Sequence, residues 1–177
     1  MNEWMQSEPM STKWIEQLAL DELNMEESGV VNFNEHLDPA FLLDEASIEF
    51  MNQLRDRFEV YTVKFNEYRN GPNSGASIKI FKISNTVNDF MLFRNSLRLI
   101  FSRKASDLIT IGFLSSGKDL FAARMSDSEM NGAPAPHEIR AHVGPFNNIS
   151  WRFAGEVIDQ DSLVRHYLSE FIKQSAR

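Results

Sequence analysis

SIKIFKISNTVNDFMLFRNSLRLIFSRKASDLITIGFL (residues 77–114) decides the fold of this chain. Short β-branched and aromatic runs alternate here with brief turn signals. SIKIFKIS (77–84) reads as a strand, and NTVN as the turn into DFMLFR (89–94). DFMLFR and SLRLIFSR (96–103) are two strands, or one strand bent at Asn95 and Ser96, and KASD turns into LITIGFL (108–114). Strands joined by so few residues pair antiparallel, because a parallel crossover needs a dozen or more.

The same texture continues downstream. SSGK leads to DLFAARM (119–125), and SDSEMNGAPAP (126–136) is a polar loop. HEIRAHV (137–143) and ISWRFAG (149–155) flank the turn GPFNN. The sum is an antiparallel meander of about six strands.

Helices precede and follow it. At the end, Leu163, Val164, Tyr167, Leu168, Phe171 and Ile172 form one apolar face. Asp159 and Asp161 at its start and Lys173 and Arg177 at its end complement the helix dipole. Upstream, Ile48, Met51, Leu54, Phe58, Tyr61, Phe65 and Tyr68 recur every three or four residues, predicting a long helix over 47–69. VYTVKF inside it alternates as a strand would, but the longer period outweighs six residues. Asp38 and Pro39 form a start signal for a short helix, AFLLDEA. Nearer the N-terminus, Trp14, Ile15, Leu18, Ala19 and Leu23 stripe a helix over 11–25, interrupted by Glu22 and capped by Gly29. Helices, then a meander, then a helix define an α+β domain. We place an acidic helical arm at 1–45 and the globular α+β domain at 46–177, with no internal repeat.

Charge divides at nearly the same place. Residues 1–50 carry twelve acids against Lys13 alone, a net of −11, whereas 51–177 carry seventeen bases and thirteen acids, a net of +4. The sharper consequence is an arm that docks on, or competes for, a basic surface of the body. The absence of cysteine removes disulfides, thiolate metal sites and thiol nucleophiles. MNEWMQSEPM lacks the basic and apolar regions of a secretory signal, and no apolar run reaches the roughly 20 residues that span a bilayer. A soluble cytoplasmic protein without a membrane partner is the expectation.

GFLSSGKDL (112–120) matches seven positions of the eight-residue phosphate-binding loop G-x-x-x-x-G-K-[ST], with Asp119 in the eighth. Phe113 and Leu114 are too bulky for a backbone wrap, and only 59 residues follow Lys118. A hairpin turning at Ser115–Lys118 is the expected structure, so no cofactor is assigned. His137 and His142, five apart on a strand, point to opposite faces, and His36 and His166 lie elsewhere, so no metal site is assigned. No nucleophile motif or paired carboxylates mark a catalytic centre, which points away from an enzyme.

Two constellations remain. Lys79, Lys82, Arg94, Arg98, Arg103 and Lys104 stand against Asp89 alone, interleaved with Phe81, Phe90 and Phe93. This is a candidate surface for nucleic acid or another anion, although Lys79 and Phe81 face away from Lys82 and the phenylalanines are needed as core. Trp14, Ile15 and Leu18 are candidates for docking a partner. The first functional expectation is a non-enzymatic protein-interaction or regulatory module, binding another protein or itself. The alternative is a nucleic-acid-binding domain whose basic strands are masked by the acidic arm. A third is a small-ligand binder or enzyme with a pocket between sheet and helix.

Overall fold

A computed structural model describes residues 10–30, 39–69, 71, 74–115 and 136–176. The chain divides into two compact units, 1–38 and 39–177. In the first, helix α1 (Lys13–Ser28) ends at Gly29, whose φ of 65° lets its N–H donate to the Met25 carbonyl. That left-handed cap is easy only for a residue without Cβ. α1 buries none of its residues, and Trp14, Ile15 and Leu18 are exposed.

The second unit opens with α2 (Pro39–Tyr68), a single 30-residue helix. The sequence predicts a short helix and then a long one; nothing between Ala46 and Ser47 breaks the helix, so the two are continuous. VYTVKF lies within it. Strands β1 (Lys79–Lys82), β2 (Phe90–Arg94), β3 (Leu97–Ala105), β4 (Leu108–Ser115), β5 (His137–Val143), β6 (Ile149–Phe153) and β7 (Glu156–Val157) follow. Each pairs antiparallel with the next, giving a seven-stranded sheet in chain order. Helix α3 (Gln160–Ser175) closes the unit, its Asp159 cap accepting the Ser162 N–H at 3.0 Å. This is the α+β meander with a long central helix and a C-terminal helix, and it gains one short strand, β7. The turn from Ser116 to Lys118, the segment DLFAARM, the cap Asp38 and His36 lie outside the described residues.

Both helices pack on one face of the sheet. Strand alternation sends Phe90 and Leu92, Leu99 and Phe101, Ile109 and Ile111, and Ile139 inward, against Met51, Leu54 and Phe58 of α2 and Val164, Leu168 and Phe171 of α3. The Phe58 ring lies 5.0 Å from Phe101, which stacks on Phe90 at 4.8 Å. Offset and tilted aromatic pairs of this kind add roughly 0.5–1.5 kcal/mol each to their burial. Phe50 stacks on Trp151 at 4.6 Å and closes the far end.

The seam read from the sequence is buried at Met51, Leu54 and Phe58 and partly buried at Phe65, which packs on the core. Beyond Phe58 the fully buried position is Thr62, while Tyr61 and Tyr68 face solvent. Here a polar clamp adds to the packing of Phe65. The Asn66 side chain donates to the Ile78 carbonyl and accepts the Ile78 N–H, at 2.9 and 2.8 Å, as a neighbouring strand would.

Two-residue turns with positive φ at both positions join β2 to β3 at Asn95–Ser96 (48° and 72°) and β6 to β7 at Ala154–Gly155 (50° and 86°). Such turns match the strand twist, and the left-handed backbone is costly for a residue with Cβ. Ser96→Gly is therefore expected to stabilise the fold by about 1 kcal/mol. Urea unfolding would register this as a raised midpoint at constant slope; an unchanged or lowered midpoint would contradict the turn assignment.

Candidate interaction surface

The register fixes what the other face of the sheet carries. Lys79 pairs with Phe93, Phe81 with Met91, Met91 with Ile100, Phe93 with Arg98, and Arg98 with Leu114. Directly opposed residues point the same way, so these side chains share one face, away from the helices. Phe81 is 43% exposed, and Met91, Phe93, Ile100 and Leu114 are half-buried. No described helix of this unit lies on that face. The same parity brings Arg140 and Arg152, paired across β5 and β6, onto it. The acid Glu138 also lies there and bridges Arg140 at 2.9 Å. Among the described residues of this face, Lys79 and Arg98 flank the apolar cluster, and Arg140, Arg152 and Glu138 lie farther along it, toward the Leu108 end of β4.

The six cations singled out in the sequence separate into different environments. Lys79 and Arg98 lie on the open face. The Arg98 guanidinium sits 6.0 Å over the Phe93 ring, and its Nε has no hydrogen-bond partner. Lys104 is exposed, within the bulge that shifts the β3–β4 register. Lys82 pairs with Phe90, so it projects on the helix side at the sheet edge.

Arg94 and Arg103 are occupied by the fold. Arg94 is only 4% exposed. It donates through Nε to the Ala76 carbonyl at 2.8 Å and through Nη1 to the Ile172 carbonyl and Ser175 Oγ, both at 3.3 Å. Its guanidinium packs 5.2 Å from the Phe65 ring. Burial, and then the nearby charge of Arg69, hold its pKa below the usual arginine value. The placement is useful because the last carbonyls of α3 have no partner within the helix. Arg103 ion-pairs with Asp44 and donates to Ser47 Oγ at 2.6 Å, tying β3 to α2. Arg140 and Arg152, missed by a search for one basic run, lie too far along the chain; only the strand pairing places them on the open face.

Phe90 is core, as the sequence reading requires, whereas Phe81 and Phe93 are not. Their rings are 6.5 Å apart on the open face. Gly112, the first glycine of the near-motif, is a mid-strand residue paired with Ile100, and Phe113 pairs with Leu99. Gly112–Ser115 are thus extended ladder rather than a wrapped phosphate cradle. His137 lies on the helix side, where its Nδ1 is 2.5 Å from the Tyr167 hydroxyl, and His142 pairs with Ser150 on the opposite face. No described helix is long and apolar enough to cross a membrane.

The fold of the second unit is an α+β one, with both of its described helices on one face of an antiparallel sheet. Comparison with protein-family models, with curated proteins and with solved structures finds no match.

The two kinds of cation make a direct contrast. Arg94→Ala takes the guanidinium donor from the Ala76 carbonyl and leaves the Ile172 carbonyl with the Ser175 hydroxyl, and it is expected to cost about 2–3 kcal/mol in urea unfolding. Lys79→Ala is expected to change stability by less than about 0.5 kcal/mol. Equal effects from both substitutions would contradict this division.

Proposed function

We propose that this chain is a non-enzymatic interaction module whose contact is the helix-free face of its sheet, and that it takes an acidic, amphipathic protein segment. One observation carries the reading. Phe81, Met91, Phe93, Ile100 and Leu114 form an apolar centre, with Lys79, Arg98, Arg140 and Arg152 on the same face. An apolar stripe buries the centre, while carboxylates answer the cations and set orientation.

A labelled peptide of residues 11–29, with its Trp14-led stripe and five acids against one lysine, is a suitable probe. The receptor is the chain lacking residues 1–36, which keeps every buried residue among those described, since these run from Ser47 to Ser175. Saturable binding is expected. Phe81→Asp or Arg98→Glu should weaken it by about tenfold or more, and Tyr61→Asp on α2 should leave it unchanged. No binding at low salt, or equal loss with Tyr61→Asp, would refute the reading.

A second reading is favoured by one feature of the same face. Phe81 and Phe93, neighbours on adjacent strands with Arg98 beside them, form the kind of stacking platform that single-stranded nucleic acid uses. On this reading the acidic arm masks the site. Removal of residues 1–36 should then raise affinity for a mixed-sequence DNA oligonucleotide, with a steep salt dependence. Absence of binding by the truncated chain at low salt would eliminate this reading.

A further inference from the structure

On the opposite side of the sheet, between the first half of α3 and strands β5 to β7, lies a cavity of about 480 Å³. Its size falls within the roughly 300–1,000 Å³ of small-molecule sites. Ile139, Leu163 and Tyr167, all buried, belong to its floor. Phe153, although 42% exposed, forms an aromatic wall, its ring meeting that of His137 edge-on at 5.5 Å. His166 approaches Tyr167 edge-on at 5.1 Å, so four aromatic rings contribute to the lining.

The polar groups of the cavity are few and define what it accepts. Burial pushes the Tyr167 phenol up to about 12, so the hydroxyl keeps its proton throughout the ordinary pH range. The hydroxyl and His137 Nδ1 lie 2.5 Å apart, and in the arrangement where Tyr167 donates, the ring carries its proton on Nε2. In that arrangement the ring's remaining polar group is a donor. Charge excludes one class of ligand. The described lining contains neither Lys nor Arg, and Asp159 stands at the rim. The Ser162 backbone N–H and hydroxyl, both donating to this carboxylate, hold its pKa below the ordinary value with help from the charge of Arg57, so it stays ionised. Arg57 itself is paired with Asp161, so an anion would enter an apolar cleft beside a carboxylate with no cation in its described lining.

We propose that this cavity binds a neutral, flat and largely apolar small molecule that carries a hydrogen-bond acceptor such as a ring carbonyl. The site is separate from the interaction face and does not depend on that reading.

Nile red, a neutral planar dye with a ring carbonyl, is the probe. Titration into the full chain is expected to give one saturable fluorescent site. Phe153→Ala, at a partly exposed position, should weaken it by about tenfold. Tyr167→Phe keeps the buried ring but removes the donor to His137, and should weaken it by about three- to tenfold. Phe81→Ala on the far face should leave it unchanged. The anionic dye 1-anilinonaphthalene-8-sulfonate should bind this site at least about tenfold more weakly. The proposal is overturned by absence of saturable binding, by loss of binding with Phe81→Ala, by indifference to both Phe153→Ala and Tyr167→Phe, or by equal affinity for the anionic dye.

Discussion

The packing of Phe58 against the stacked pair Phe90 and Phe101 is the contact on which the remaining structure depends. Side chains alternate along a strand, so choosing Phe90 and Phe101 as inward residues also chooses Leu92, Leu99 and Ile111. The same choice sends Phe81, Met91, Phe93 and Arg98 outward. A slip of one residue in β2 would exchange the two sets, putting Met91 and Phe93 under the helices and exposing Phe90. The core holds its register because Phe58, Phe90 and Phe101 are all fully buried. The open face follows from that burial, and its chemistry is what remains after the core has taken one residue in two.

This explains how far the sequence can be read. Turns are local, so Asn95–Ser96 and Gly29 are visible as a hairpin break and a helix cap in a window of a few residues. Helix periodicity is nearly local, and it identifies α3 and the long run of α2 up to its end. Parity across a sheet is not local. Arg94 and Arg98 are both arginines in β-rich runs of equal character, four residues apart across a two-residue turn. One sits in the core holding the end of α3, and the other rests on Phe93 in the open. Only the complete register, from β1 to β6, separates them and brings Arg140 and Arg152 to the same face as Arg98. The Asn66 clamp is illegible for a related reason: its partner Ile78 lies twelve residues away, and a polar clamp leaves no hydrophobic signal.

The two sides of the sheet also differ in charge. The open face carries Lys79, Arg98, Arg140 and Arg152 against Glu138, and it suits partners with carboxylates or phosphates. The cavity on the helix side has Asp159 at its rim and neither Lys nor Arg in its described lining, and it suits neutral molecules. Some strands supply both: on β5, Ile139 lines the cavity floor while Arg140 faces away. A single layer of backbone about one strand thick therefore separates two chemistries. Neither needs the other's residues.

A sheet can recruit a partner through an edge or through a face, and the edges here are poorly suited. β7 is two residues long, too short to template an added strand. β1, at the other edge, has Lys79 and Lys82 among its four residues, and charged side chains on an edge oppose its extension by another strand. The face lacks such protection. In a two-layer domain the solvent side of an antiparallel sheet is ordinarily polar, with apolar residues confined to the helix side. Here the outward positions of β1 and β2 include Phe81, Met91 and Phe93, and those of β3 and β4 include Ile100 and Leu114. Neither helix of this unit uses these side chains, and the edges are defended against strand addition. On the proposed reading, a surface laid across the sheet would bury them, and the cations beside them would bias which surface that is.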